Sequence, residues 1–153
     1  MIACSDNTFK RDRMKPILLL SMFMLSLFSQ QTHAASLSVS DAWVRATAPS
    51  QTMTAGYFKI TNLSDSPVTL TKITSSEAMS CSMHKSQMVN GMNKMQEMSS
   101  LDIPAHQQQV FQSGGLHLMI MGFHHPLKVG DNFPLELYFS NGEKLSIDAT
   151  IRQ

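Results

Sequence analysis

From residue 36 onward, apolar and polar residues alternate in short runs, and each run ends in turn-forming residues. Leu37 and Val39 alternate within 36–44, which closes on Trp43-Val44. Tyr57, Phe58 and Ile60 mark 55–61, and Val68 and Leu70 open 68–73. A period of two is the signature of a strand with one face buried. Runs 81–89 and 92–98 flank Asn90-Gly91, and 134–139 and 144–151 flank Asn141-Gly142. Asn-Gly between two such runs predicts a tight hairpin, because both turn positions need positive φ. A segment beginning at Ile103-Pro104 continues through 107–112, and Ser113-Gly114-Gly115 turns the chain into 116–121. No stretch carries the helical period. The pattern predicts an all-β domain of about nine strands, an antiparallel Greek-key sandwich or barrel.

The first Asn-Gly turn also predicts a register. With a two-residue loop Val89 faces Met92, so His84 faces Glu97 and Ser86 faces Met95. Alternation then places His84, Ser86, Met88, Met95 and Glu97 on one face, and Cys81, Met83, Met92 and Met98 on the other. Met95 becomes the diagonal neighbour of His84, within reach of a long side chain. In 116–121, His117, Met119 and Met121 share one face, while Leu116, Leu118 and Ile120 share the other as core. A histidine inside so apolar a strand needs a partner, since burying it unpaired costs roughly 1–3 kcal/mol.

Composition changes the picture in three ways. A basic cluster (Lys10, Arg11, Arg13, Lys15) precedes an apolar run over 16–28, and Thr32-His33-Ala34 reads as a cleavage site. That order is a secretory signal, and the run is short for a membrane span. The expectation is a leader over 1–34 and a domain over 35–153, exported to the periplasm with no membrane insertion of the mature domain. Met14-Lys15 also reads as the opening of an ordinary signal peptide. No cysteine follows the apolar run closely, so lipid attachment at the cleavage site is not expected. The net charge of +1 belongs to the whole chain; from Ala35 on there are eight Lys and Arg against nine Asp and Glu. No basic stripe is present, which excludes ordinary nucleic-acid binding. Cys81 is the one cysteine of that region, so the domain has no internal disulfide and relies on its core.

The third change is methionine. Eight of the nine methionines beyond residue 35 lie between Met79 and Met121, a poor match to general use as core filler. His84, Met95, His117 and Met119 supply two imidazole nitrogens and two thioether sulfurs. Such a soft set selects copper(I) over magnesium or calcium and disfavours zinc, which takes thiolate, imidazole and carboxylate. It needs no deprotonation and cannot be lost to disulfides, which suits an oxidising compartment.

The spacing His-x10-Met-x21-His-x-Met resembles the signature of the PCu(A)C copper chaperones. Residues 41–49 (Asp-Ala-Trp-Val-Arg-Ala-Thr-Ala-Pro) and 55–62 (Ala-Gly-Tyr-Phe-Lys-Ile-Thr-Asn) resemble the opening blocks of that family, and 116–122 and 126–131 its later blocks. The resemblance implies a cupredoxin-like β-sandwich with one copper(I) on His84, Met95, His117 and Met119. It also implies delivery of the metal to an oxidase subunit or assembly protein.

Other residues read more simply. Met88 and Met121 share faces with the proposed ligands and either shield the metal or help transfer it. Met83, Met92 and Met98 are packing, Trp43 and Tyr57 core, and Arg45 paired or solvated. His106 and His124-His125 fall in loops, the latter pair before Pro126. Cys81 is a buried free thiol. Without a catalytic Ser/His/Asp or Cys/His arrangement, the reading is a monomeric carrier and not an enzyme. The competing readings are a cupredoxin-like electron-transfer protein, which would need Cys81 as a thiolate ligand, and a metal-free structural sandwich.

Overall fold

The computed structural model describes residues 36–153. The expected signal segment and the expected cleavage site near Ala34 lie outside the described residues. Ten strands form: β1 (Leu37–Arg45), β2 (Met53–Asn62), β3 (Val68–Thr74), β4 (Ala78–Val89), β5 (Met92–Met98), β6 (Leu101–Ile103), β7 (Gln108–Phe111), β8 (Leu116–Phe123), β9 (Asn132–Phe139) and β10 (Lys144–Arg152). They hydrogen-bond in the order β5-β4-β8-β7-β2-β1-β10-β9-β3-β6, and β8 also pairs with β2. All pairings are antiparallel except β1 with β10 and β7 with β8.

The ladder is continuous, yet it closes into a sandwich. β4 stands second in it and β3 ninth. Laid flat, six steps of about 4.8 Å, counted through the β8–β2 pairing, would hold these strands roughly 29 Å apart. Ile73 of β3 and Met83 of β4 nevertheless belong to one core cluster, with Phe58, Ile60, Leu118, Ile120, Phe133, Leu135, Leu137 and Ile151. The sheet therefore folds over, and its two halves bury their inner faces against each other.

The strand count exceeds nine because the stretch expected as one segment is two. Leu101 and Ile103 point inward and pair with β3. Pro104 then has no N–H to continue the ladder, His106 adopts φ 57°, and Gln107 N–H donates to the Pro104 carbonyl at 3.1 Å. Pairing resumes in β7, on the other side of the sandwich against β2.

Side-chain parity departs from simple alternation in β1. A register shift lies between Ser40 and Trp43, with Asp41 at φ 52°. Leu37 and Val39 point inward before the bulge, and Ala42 and Val44 after it. This corrects the expectation that Trp43 is core, whereas Tyr57 is buried as expected. They face each other across β1 and β2 with ring centroids 4.5 Å apart, on the side away from the core cluster. Tyr57 is buried there and Trp43 half-buried.

Asn62 is fully buried and carries the β2–β3 turn. Its amide donates to the carbonyls of Ser66 (2.8 Å) and Ile103 (3.0 Å). Its Oδ1 accepts from Ser64 N–H (3.0 Å) and Ser64 Oγ (2.7 Å). Replacing Asn62 with Ala strands several of these groups, so Asn62→Ala should lower stability by about 2–4 kcal/mol with the fold retained. Urea unfolding checks this; a midpoint equal to the parent's would show that the network is dispensable.

Candidate metal centre

Asn90 (φ 52°) and Gly91 (φ 75°) form the tight turn between β4 and β5. The pairing is the one the turn predicts: Val89 with Met92, Ser86 with Met95, His84 with Glu97. On its other side β4 pairs with β8, which sets His84 opposite His117, Ser82 opposite Met119 and Ser80 opposite Met121. Cys81 opposite Ile120 and Met83 opposite Leu118 alternate with these and turn toward the core.

His84 and His117 are thus direct cross-strand neighbours. Their ring centroids lie 5.8 Å apart, with planes inclined by 27°. Met119 follows His117 by two residues on the same face. Met95 sits one diagonal step away on β5, the edge strand of the ladder. His84, His117 and Met119 are half-buried, whereas Met95 is 54% exposed. Three donors are therefore set within the sheet, and the fourth is an outlier at its open edge.

The imidazoles are oriented from behind. His117 Nδ1 lies 3.0 Å from the Gly115 carbonyl, which also accepts Ser86 N–H at 3.0 Å. A carbonyl can only accept, so Nδ1 carries the proton and the Nε2 lone pair is free for a cation. His84 Nε2 lies 2.9 Å from Ser82 Oγ, and His84 Nδ1 is buried without any hydrogen-bond partner. Such an orphan costs roughly 1–3 kcal/mol, a deficit that coordination to a cation removes. Ser82 shares the face of His84 by the same period of two; the role of Gly115 carried no signal beyond its place in the Ser-Gly-Gly turn.

The remaining donors narrow the chemistry. Among the described residues, no three His, Cys, Asp or Glu side chains come together to hold a metal. Beside the imidazole pair stand the thioethers of Met119 and Met95, donors that favour a soft ion. Cys81 stands on the opposite face of β4, half-buried and packed on the core. Burial pushes its thiol up from 9.0 to about 11. His124 and His125 are exposed in a loop, and His106 is exposed with its Nε2 2.9 Å from Asp65.

The family model described as "Putative lipoprotein LpqE-like" matches residues 37–151. A protein of Leifsonia xyli subsp. xyli named "Putative lipoprotein Lxx21020" is 32% identical over 120 residues, which cover 78% of this chain and 71% of that protein. The solution structure of the copper(I) form of DR1885 from Deinococcus radiodurans is 34% identical, covering 81% of this chain and 85% of its own, with a TM-score of 0.63. The copper-bound PCuAC domain from PmoF2 has a TM-score of 0.65 at 20% identity, over 76% of this chain and 92% of its own, a likeness of fold. The chain belongs to the LpqE-like family, and its β-sandwich shares the fold of the PCuAC domains.

Cys81 supplies a test of the face assignment. Alkylation by iodoacetamide should be slow in the native protein at pH 8 and accelerate only as pH approaches about 11. Above pH 9.0 the unfolded chain loses this proton first, so the contribution of Cys81 to stability, intact below 9.0, is lost as pH rises through about 11. Fast native labelling at pH 8 would place the thiol outside the core face.

Proposed function

We propose that this protein is an exported, periplasmic copper(I) carrier and not an enzyme. It holds one ion on His84, Met95, His117 and Met119 and passes it to a copper-accepting oxidase subunit or assembly protein. The observation that carries the reading is the direct pairing of His84 with His117, two imidazoles 5.8 Å apart on one face with Met119 beside them. The copper(I) form of DR1885 supports copper(I) as the cargo. The leader-like segment and the lipoprotein name of the Leifsonia relative support export.

Transfer follows from the asymmetry of the donors. The site is charge-neutral, so copper(I) keeps its positive charge and attracts an incoming thiolate. Met95, exposed on the edge strand, is the donor free to leave first. The acceptor's thiolate takes its place, and thiolate is the stronger copper(I) ligand, which gives the exchange its direction. No electron moves and no covalent bond of the protein changes. A thiolate-ligated electron-transfer centre is disfavoured by Cys81, which is turned to the core and held as the neutral thiol.

Titration of the protein with copper(I) against a competing chelator, without oxygen, should give one ion per chain. Outer partners of metal-bound imidazoles alone are worth about 10–100-fold in affinity. His84→Ala and His117→Ala should therefore each weaken binding by roughly 100-fold or more with the fold intact. Parent-like affinity in both variants would overturn the site. Copper-loaded protein mixed with the apo copper domain of an oxidase subunit should lose its ion to it, and retention of the ion would remove delivery from the function.

A further inference from the structure

Exposed methionines extend beyond the four proposed ligands. β2 begins at Met53, two residues before the strand expected from its aromatic run, and that extension pairs it with the far end of β8. Met53 stands opposite Met121, and Ala55 opposite Met119. Directly opposed residues carry β-carbons about 4.5–5.5 Å apart, close enough for two flexible thioethers to converge on one ion. Gly122 N–H donates to the Thr52 carbonyl at 2.9 Å and holds this register at the strand end.

Met53 is 52% exposed and Met121 37%. Neither belongs to the core cluster or packs against it. Met119 lies on the same face between Met121 and His117, diagonal to Met53. Met79, 82% exposed, lays its sulfur against Gly122, the residue after Met121. Thioethers therefore run from the imidazole pair to the open end of β8, and only the first of them belongs to the proposed four-donor set. Packing does not account for Met53 and Met121. Their sulfur does: a thioether is neutral, needs no deprotonation and binds soft monovalent cations.

We propose that Met53 and Met121 form a second, weaker site for a soft monovalent cation, copper(I) or silver(I). Met119 stands between it and the imidazole pair. The weaker site is an entry point: an ion captured by two exposed thioethers passes along β8 to donors that bind it more tightly. Each step is exchange of one neutral donor for another, with the charge of the ion unchanged.

Silver(I) nitrate in chloride-free buffer, titrated into protein labelled with 13C at the methionine ε-methyls, tests this without redox chemistry. Single Met→Leu variants assign the signals. The expected result is two stages: Met95 and Met119 shift with the first equivalent, and Met53 and Met121 shift together with a second. Met92, exposed on the face of the β4–β5 hairpin opposite the proposed ligands, acts as the control. Met53→Leu/Met121→Leu should lose the second equivalent and keep the first; if that double variant does not fold, Met53→Leu alone decides. Signals of Met53 and Met121 that move no more than that of Met92 overturn the proposal. A second equivalent that survives the substitutions does the same. The outcome is separable from that of the imidazole site: in His84→Ala/His117→Ala the shifts of Met53 and Met121 should persist.

Discussion

The pairing of β4 with β8 is the constraint on which the chemistry of this protein depends. One register sets His84 opposite His117 and, in the same stroke, turns Cys81 and Met83 inward against Ile120 and Leu118. Because side chains alternate, a slip of one residue would exchange the two faces of the slipped strand. Imidazoles would enter the core and apolar side chains would face water. The core side of the ladder thus enforces the donor side. Apolar burial, the larger energy, positions groups that could not position themselves.

The donor face is built with graded freedom. His117 is tied to the Gly115 carbonyl, which also receives the Ser86 N–H and so joins β4 to the turn before β8. His84 lies beside Ser82 and keeps one buried nitrogen unpaired. Met95 rides on the edge strand, where every residue but Met98 is exposed. A carrier needs this gradient. Donors held uniformly tightly would trap the ion, and donors uniformly loose would not retain it. Fixed imidazoles with an edge thioether allow one bond to open while the rest hold. The thioethers of Met53 and Met121 continue the same gradient in the other direction along β8.

Much of this was legible from local pattern. Asn90-Gly91 specified a two-residue turn, and arithmetic from it led to the observed pairs His84–Glu97 and Ser86–Met95. The inward positions of β8 at Leu118 and Ile120 followed from alternation. Failures arose where one residue broke the period. Asp41 at positive φ reversed the parity of β1 and carried Trp43 to the outer side with Tyr57. Pro104 and His106 split one expected strand into two. Met53 fell outside the expected strand over 55–61 because Thr52 and Thr54 flank it without an apolar run; its place beside β8 makes it a strand residue.

The amino-acid order by itself determined the strand class, the hairpin register and the donor types, because each depends on a few neighbouring residues: a period of two, a turn with positive φ, a thioether in place of a carboxylate. The tertiary structure alone decided which strands lie side by side. His84 and His117 are separated by thirty-two intervening residues, and Met53 and Met121 by sixty-seven. Nothing local in either segment specifies its partner. That choice belongs to the whole folded sheet, where Phe58, Met83, Leu118, Ile120 and Phe133 share one core.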